Sequence, residues 1–404
     1  MVGHAPGRPE GRAQQVAPLT PEQVRRLLST AGRDAVRIAA AQDLRPGARL
    51  AAAEAVRAAA GPELGPLALE QAVLQDRATA KHPRGAELWW TAEALEQASS
   101  APLAAWRARR YPSAAVDLCC SVGGDLLALP DGSVGVDLDE ARLLLAAANA
   151  EVLGRSVQLV RADVTRLAPL SGRDVVVDPA RRAGDRRVFD PRAYTPALDV
   201  VLGWRHQARR LGVKVAPGVD HEALPDDVEV EVVSLAGDVK EAVLWAGEAR
   251  SGVRRTATLL PRGDVLAGRG TAAPAVRAPG PFLLEPDGAV VRAHLVAELA
   301  EDVGGWLLDA TIAYVAADAP APTPFGRWFE VQETLPFSLK GLRARLRARD
   351  AGNVVVKKRG TAVEPEELRR RLALRGSRTV TVVLTRSAGR QVVLVVEPMP
   401  TAAG

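Results

Sequence analysis

Short β-branched runs alternating with helical patterns dominate the middle of the chain. A-A-V-D-L at 114–118, S-V-G-V-D at 133–137, V-Q-L-V at 157–160 and D-V-V-V-D-P at 174–179 each end on or near a carboxylate: Asp117, Asp137, Asp163 and Asp178. Runs of this length separated by helical stretches predict a parallel α/β sheet, whose strand ends carry the chemistry. A helix over 196–211 and a fifth strand over 213–218 follow. Alternating runs at 229–235 and 241–247 predict an antiparallel end, for seven strands in all.

The flanks read differently. Residues 1–19 are rich in Gly, Pro, Ala and Arg and predict a disordered leader. Thr20-Pro21-Glu22-Gln23 is a helix start, with Thr as cap, Pro in the first turn and Gln at the capping-box position. Ala-rich helical patterns then run through a domain spanning 20–110, broken near Arg45-Pro46-Gly47, Gly61-Pro62 and His82-Pro83. The adjacent Trp89 and Trp90 are expected to anchor its core. The sheet domain spans 111–250. Residues 251–324 read as a connector with short strands, a turn over 282–288, a helix over 289–299 and a linker at 316–324. Residues 325–398 form an α+β piece with two Lys/Arg-rich helices, at 338–349 and 365–375, between four β runs.

Composition adds a compartment and a partner. The chain has 404 residues, 47% apolar and 25% charged, which are globular values that allow two or three domains. No run of 18 apolar residues occurs, so no membrane span is expected and the reading is a cytoplasmic protein. The only two cysteines are adjacent and form no bridge framework. His206 and His221 lack partners at ligand spacing, so no metal site is expected. The net charge is +5. Residues 325–398 hold sixteen Lys/Arg against seven Asp/Glu, a net +9, which leaves −4 for the rest. Basicity concentrated in one piece is the footprint of a nucleic-acid module.

The candidate chemistry begins after the first strand, at Cys119-Cys120-Ser121-Val122-Gly123-Gly124-Asp125. A turn of small residues there lets a ligand approach the backbone. Asp137 ends the next strand about 20 residues after Asp117, where a carboxylate can accept both ribose hydroxyls. Asp163 is placed to meet an adenine edge. An adenosine-containing cofactor fits this pattern, although the strict G-x-G-x-x-G dinucleotide fingerprint is absent.

The loop D-x-C-C-S-x-G-G resembles motif I of class I S-adenosylmethionine-dependent methyltransferases, commonly D/E-x-G-x-G-x-G. The resemblance implies a Rossmann-like seven-stranded sheet and S-adenosylmethionine as cofactor. It implies that Asp117 opens the loop and that Cys119, Ser121 and Gly123 take the glycine positions. Asp137 would hold the ribose and Asp163 the adenine, with Leu138 and Val164 beside them. Asp178-Pro179-Ala180-Arg181-Arg182 is similar to motif IV, the D-P-P-Y or D-P-P-R of nucleic-acid methyltransferases. There the carboxylate and the proline carbonyl orient a target amine for in-line attack, so the help is positioning. Asp178, Pro179 and Arg181 are the catalytic candidates, and the Arg181 guanidinium can stack on a base or grip a phosphate. Lys81, Arg182 and Arg186 are the candidate substrate contacts, Lys81 through the carboxylate of the cofactor's methionine part.

The tail resembles the THUMP-like domain that follows certain bacterial class I methyltransferases, and true THUMP domains bind structured RNA. W-W-T-A-E-A-L-E-Q-A-S-S, the D-L-C-C-S-V-G-G-D loop, D-P-A-R-R and N-V-V-V-K-K-R-G together carry that likeness across nearly the whole chain after the leader. The implied partner is RNA, tRNA or rRNA. Two alternatives stand beside it: an RNA-binding protein with a degenerate methyltransferase fold, allowed by Ser121 and Ala180, and a methyltransferase for DNA, protein or a small molecule.

Overall fold

The computed structural model describes residues 18–166, 170–181 and 194–400. The chain divides into two compact units: Met1–Ala104 with Cys119–Arg166, and Ala105–Leu118 with Leu167–Gly404. Most of the expected leader lies outside the described residues. Leu19, at its end, packs against the helical core.

The first unit opens with α1 (Pro21–Leu28), α2 (Thr30–Ala40), α3 (Arg49–Ala78) and α4 (Ala92–Gln97). Thr20 and Gln23 close the capping box reciprocally, satisfying donors that a helix start leaves open. The break expected at Gly61-Pro62 is a kink inside α3, where Gly61 takes φ 84°. Trp89 and Trp90 are each 4% exposed, in one core with Val24, Leu27 and Val56. The chain passes into the second unit within α5 (Ala101–Ala108), and β1 (Val116–Leu118) belongs there. It returns to the first unit at Cys119.

The first unit then carries β2 (Ser133–Asp137), α6 (Glu140–Leu153) and β3 (Val157–Arg161), with β2 and β3 parallel. Gly135 is required in β2, since a Cβ there would lie 2.5 Å from Leu126 and 2.9 Å from the Cys120 Sγ. Asn149 on α6 is a buried cross-link. Its Oδ1 accepts from Trp89 N at 2.7 Å, and its Nδ2 donates at 3.0 Å to the carbonyls of both Trp89 and Val122. One amide thereby ties the tryptophan segment to the loop after β1.

The second unit adds β4 (Asp174–Val177), β5 (Ala180–Arg181), β6 (Tyr194–Thr195), α7 (Leu198–Gly203), β7 (Arg210–Val215), β8 (Glu229–Leu235), β9 (Asp238–Gly247), β10 (Arg255–Leu260) and β11 (Asp264–Ala267). Its strand order is β11-β10-β8-β9-β7-β4-β1. β1, β4 and β7 run parallel, and β9 pairs antiparallel with both β7 and β8, the expected antiparallel end. Two differences appear. The helix expected over 196–211 stops at Gly203, and β7 begins at Arg210. β10 and β11 come from the stretch read as connector, with β10 running parallel to β8.

A polar layer is buried on this sheet. Glu229, Glu231 and Glu241 are each at most 3% exposed. Arg107 pairs with Glu241, Arg110 with Glu229 at 3.0 Å, and Trp106 and Trp245 each donate to Glu231 at 2.8 Å. Buried charges persist only where they are paired and hydrogen-bonded, and each of these three carboxylates is.

His221, 2% exposed, stacks on His294 with centroids 4.5 Å apart. Neither ring nitrogen of His221 has a hydrogen-bond partner among the described residues. Burial first, then the neighbouring His294 and Arg255, lower its pKa to about 4. Unfolding frees the imidazole to protonate near its ordinary value, so its contribution to stability is complete above about pH 6.5. That contribution, about 3 kcal/mol, is lost as pH falls towards 4. His221→Phe is expected to flatten this slope in urea denaturation measured between pH 7 and 4. An unchanged slope contradicts the assignment.

The C-terminal sheet has the order β13-β14-β12-β15-β18-β17-β16, from β12 (Phe282–Pro286), β13 (Trp306–Asp309), β14 (Ile312–Ala317), β15 (Gly326–Pro336), β16 (Ala351–Lys358), β17 (Arg378–Ser387) and β18 (Arg390–Pro398). β12 through β14 arise from the expected connector. Residues 282–286 are a strand paired along β15, not a turn, so this sheet begins before residue 325. The helix expected over 289–299 is two, α8 (Gly288–Arg292) and α9 (Val296–Asp302), separated at His294, whose φ is 58°. α10 (Leu339–Ala348) and α11 (Pro365–Leu372) bury Leu342, Leu346, Leu368 and Leu372 against Val354, Val382 and Val393.

Candidate functional site

The loop after β1 keeps a glycine-like backbone at every second position. Cys119, Ser121 and Gly123 have φ of 66°, 50° and 93°. These are the positions expected to replace the family's glycines, and two hold the left-handed conformation despite a side chain. A left-handed non-glycine residue costs roughly 1–2 kcal/mol, and such strain collects where a backbone must face a ligand. The Ser121 Oγ is also buried without a partner among the described residues. Ser121→Gly is therefore expected to raise stability by about 1 kcal/mol, partly offset by glycine's greater unfolded freedom. A lowered urea midpoint counts against strain at this position.

Asp137 stands beside that loop. Its Oδ2 accepts from Ser121 N and its Oδ1 from Asp139 N, both at 2.9 Å. Each oxygen keeps a second lone pair, so the fixed carboxylate can still accept a diol. Leu138, the next residue, is 62% exposed, an apolar face left open. Asp163 receives the amide and hydroxyl of Thr165 on Oδ1, at 2.9 and 2.7 Å, and this hydroxyl and amide hold its pKa below the usual carboxylate range. Its Oδ2 has no partner among the described residues. Val164 is buried. Asp117, 1% exposed, lies inside β1 opposite Val176. The loop backbone, the half-buried Asp137 carboxylate, the exposed Leu138 and the Asp163 carboxylate all belong to the first unit, and they offer the kinds of acceptor and apolar surface that an adenosyl group needs.

Lys81 requires a correction. Its ammonium donates to the carbonyls of Leu95, Glu96 and Ala98 at 2.5, 2.9 and 2.9 Å. It caps the end of α4, where carbonyls lack helical partners, rather than reaching a substrate.

The second unit holds the D-P-A-R turn at the carboxyl end of β4. The Asp178 amide meets the Leu118 carbonyl at 3.4 Å, and Leu118 directly precedes Cys119. The Asp178 carboxylate is 34% exposed, and its Oδ2 is 2.5 Å from the Lys214 Nζ. Pro179 is buried. Arg181 lies in β5, opposite Tyr194 of β6. The Tyr194 hydroxyl accepts from Ala216 N at 2.9 Å. Arg182 and Arg186 lie outside the described residues. Sequence reasoning missed the pairing of Lys214 with Asp178. The available signal was a lone lysine between valines at the end of a strand.

With this geometry in place, likeness to known proteins becomes decisive. A relative from Mycobacterium tuberculosis (strain CDC 1551 / Oshkosh), an uncharacterised S-adenosylmethionine-dependent methyltransferase, is 43% identical over 337 residues, covering 80% of this chain and 92% of the relative. The chain belongs to the S-adenosylmethionine-dependent methyltransferases. Its counterpart in strain H37Rv matches equally, at 43% over 337 residues. A THUMP domain-like family model matches residues 326–398. A crystal structure described as a methyltransferase of Porphyromonas gingivalis W83 superposes with a TM-score of 0.72 at 20% identity, covering 91% of this chain and 99% of that one. That likeness shows the fold: a class I methyltransferase α/β domain with a helical lead and a THUMP-like C-terminal domain. S-adenosylmethionine is the cofactor of this methyltransferase.

The THUMP-like domain carries the excess positive charge. Arg345 and Arg349 pair with Glu333, and Lys358 with Glu364. Lys340, Arg347, Arg370, Arg375 and Arg390 are exposed with no ion pair among the described residues. Among the described residues, no helix is long and apolar enough to cross a membrane, and no group of three His, Cys, Asp or Glu is placed to hold a metal.

Proposed function

We propose that this methyltransferase modifies a structured RNA, tRNA or rRNA, at a base nitrogen or a ribose hydroxyl. The observation that carries the reading is one chain holding both the D-P-A-R turn and a THUMP-like domain with the excess basic charge. Bound S-adenosylmethionine supplies an electrophilic methyl group on sulfur. The left-handed loop at Cys119, Ser121 and Gly123, which Asp117 opens in sequence, receives the cofactor. Asp137 holds its ribose, Leu138 and Val164 flank its adenine, and Asp163 accepts from the adenine edge. Asp178 accepts a hydrogen from the target, aided by the Pro179 carbonyl, and so aims its lone pair. Arg181, with Arg182 and Arg186, grips a base or phosphate. Exposed cations of the THUMP-like domain hold the RNA backbone, so binding should weaken steeply with added salt.

Methylation at pyrimidine C5 is disfavoured. It uses a cysteine nucleophile from a later loop, and no cysteine follows Cys120. Cys120 itself is buried against Leu126 and Leu143. The degenerate-fold alternative is disfavoured by the backbone at Ser121, which keeps the ligand-facing conformation at a cost in strain.

The test is mass spectrometry of total RNA nucleosides from a strain lacking the gene. The expected result is one methylated nucleoside lost, restored by wild type and not by Asp178→Ala. An unchanged nucleoside profile overturns the RNA assignment.

A further inference from the structure

We propose that Lys214 is the positioning residue for Asp178: it holds one carboxylate oxygen in place and leaves the other to receive the hydrogen of the target nitrogen. This rests on the reading above, in which Asp178 orients the acceptor.

The placement follows from the register of two strands. β4 and β7 run parallel, and their last pair is Val177 with Val213. Asp178 and Lys214 are the next residue on each strand, so their side chains leave the same end of the sheet side by side. The Nζ to Oδ2 distance is 2.5 Å. The lysine is embedded: its side chain is 12% exposed, Val213 and Val215 on either side are at most 1% exposed, and its backbone pairs with Val243 of β9. A lysine inserted between strands has few rotamers, and a partly desolvated ion pair is better fixed than a surface one. The chain just past Lys214 is braced as well, because the Ala216 amide donates to Tyr194, which lies opposite Arg181 in the small β5–β6 ladder. The D-P-A-R turn and the end of β7 are thus held by one tyrosine and one ion pair.

The pairing has a chemical consequence. Among the described residues, Oδ1 of Asp178 has no partner, so one acceptor direction remains. The ammonium fixes Oδ2 by a charge-assisted hydrogen bond, so the carboxylate's orientation is set before a target arrives.

The test uses the full chain, labelled methyl transfer from S-adenosylmethionine, and total RNA from the deletion strain as acceptor. Lys214→Met is expected to lower kcat about 30-fold while KM for RNA and affinity for S-adenosylmethionine change less than about twofold, because only orientation at the reacting atom is lost. Lys214→Arg is expected to restore kcat to within about fivefold of wild type, since it keeps the charge and a donor. Should Lys214→Met fold poorly, Lys214→Gln removes the charge while keeping a neutral donor, and kcat is expected to fall between those of the Met and Arg variants. Unchanged kcat in these variants overturns the inference, as does an Arg variant no better than Met with both losing thermal stability. If wild type labels RNA and Lys214→Met matches it, only the role of Lys214 falls. If wild type labels no RNA, the RNA reading falls and this one with it.

Discussion

Methyl transfer by the Asp178→Ala variant falls about 100-fold or more, with affinity for S-adenosylmethionine unchanged. The carboxylate sits at the end of β4, one third exposed, and among the described residues its side-chain partner is Lys214. Removing it takes away the side-chain acceptor proposed to aim the target's lone pair and leaves only the Pro179 carbonyl, and a small misorientation of a reacting atom costs this much. Cofactor affinity is expected to hold because the groups assigned to the adenosyl part, Ser121, Asp137 and Asp163, belong to the other compact unit. Asp178→Asn should lose nearly as much, since the amide cannot pair with Lys214 as a carboxylate does. Single-turnover methyl transfer to RNA from the deletion strain measures this. A loss smaller than about threefold removes Asp178 from the mechanism.

Stability responds most to the buried pair between Arg107 of α5 and Glu241 of β9. Arg107→Met is expected to destabilise the second unit by about 3–5 kcal/mol, because it removes a cation paired with the buried Glu241. Both side chains are nearly inaccessible, at 2% and 4%. The double variant Arg107→Met with Glu241→Leu should recover most of that loss, since an apolar pair of similar volume replaces an ion pair at little net cost. Urea denaturation of the three variants decides it. Additive losses in the double variant show that the pairing is not what the single substitution removes.

The backbone of the loop after β1 was legible in sequence for a physical reason. Small residues at 119, 121 and 123 after a strand imply a backbone that must be approached closely, and all three are left-handed. The carboxylate at Asp137 was equally legible, because strand length and spacing fix where a strand ends. Contacts made across space were not. Lys214 meets Asp178 only through the register of β4 and β7, and no spacing along the chain encodes that register. Asn149 looks like any polar residue on a helix, yet it joins Trp89 to Val122. Lys81 had the opposite fault: a lysine near a predicted site suggested a ligand, while three helix-end carbonyls had the stronger demand. β12 was read as a turn because Pro286, Asp287 and Gly288 end it, and those residues punctuate a strand as well as they form a turn.

The most direct measurement is calorimetric titration of the full chain with S-adenosylmethionine, for wild type and for Asp137→Ala. The account predicts one saturable site in the wild type, weakened at least about tenfold in the variant, since a fixed charged acceptor for the ribose contributes roughly 1.5–3 kcal/mol. Absence of binding heat in wild type at several temperatures, or equal affinity in both proteins, would contradict it.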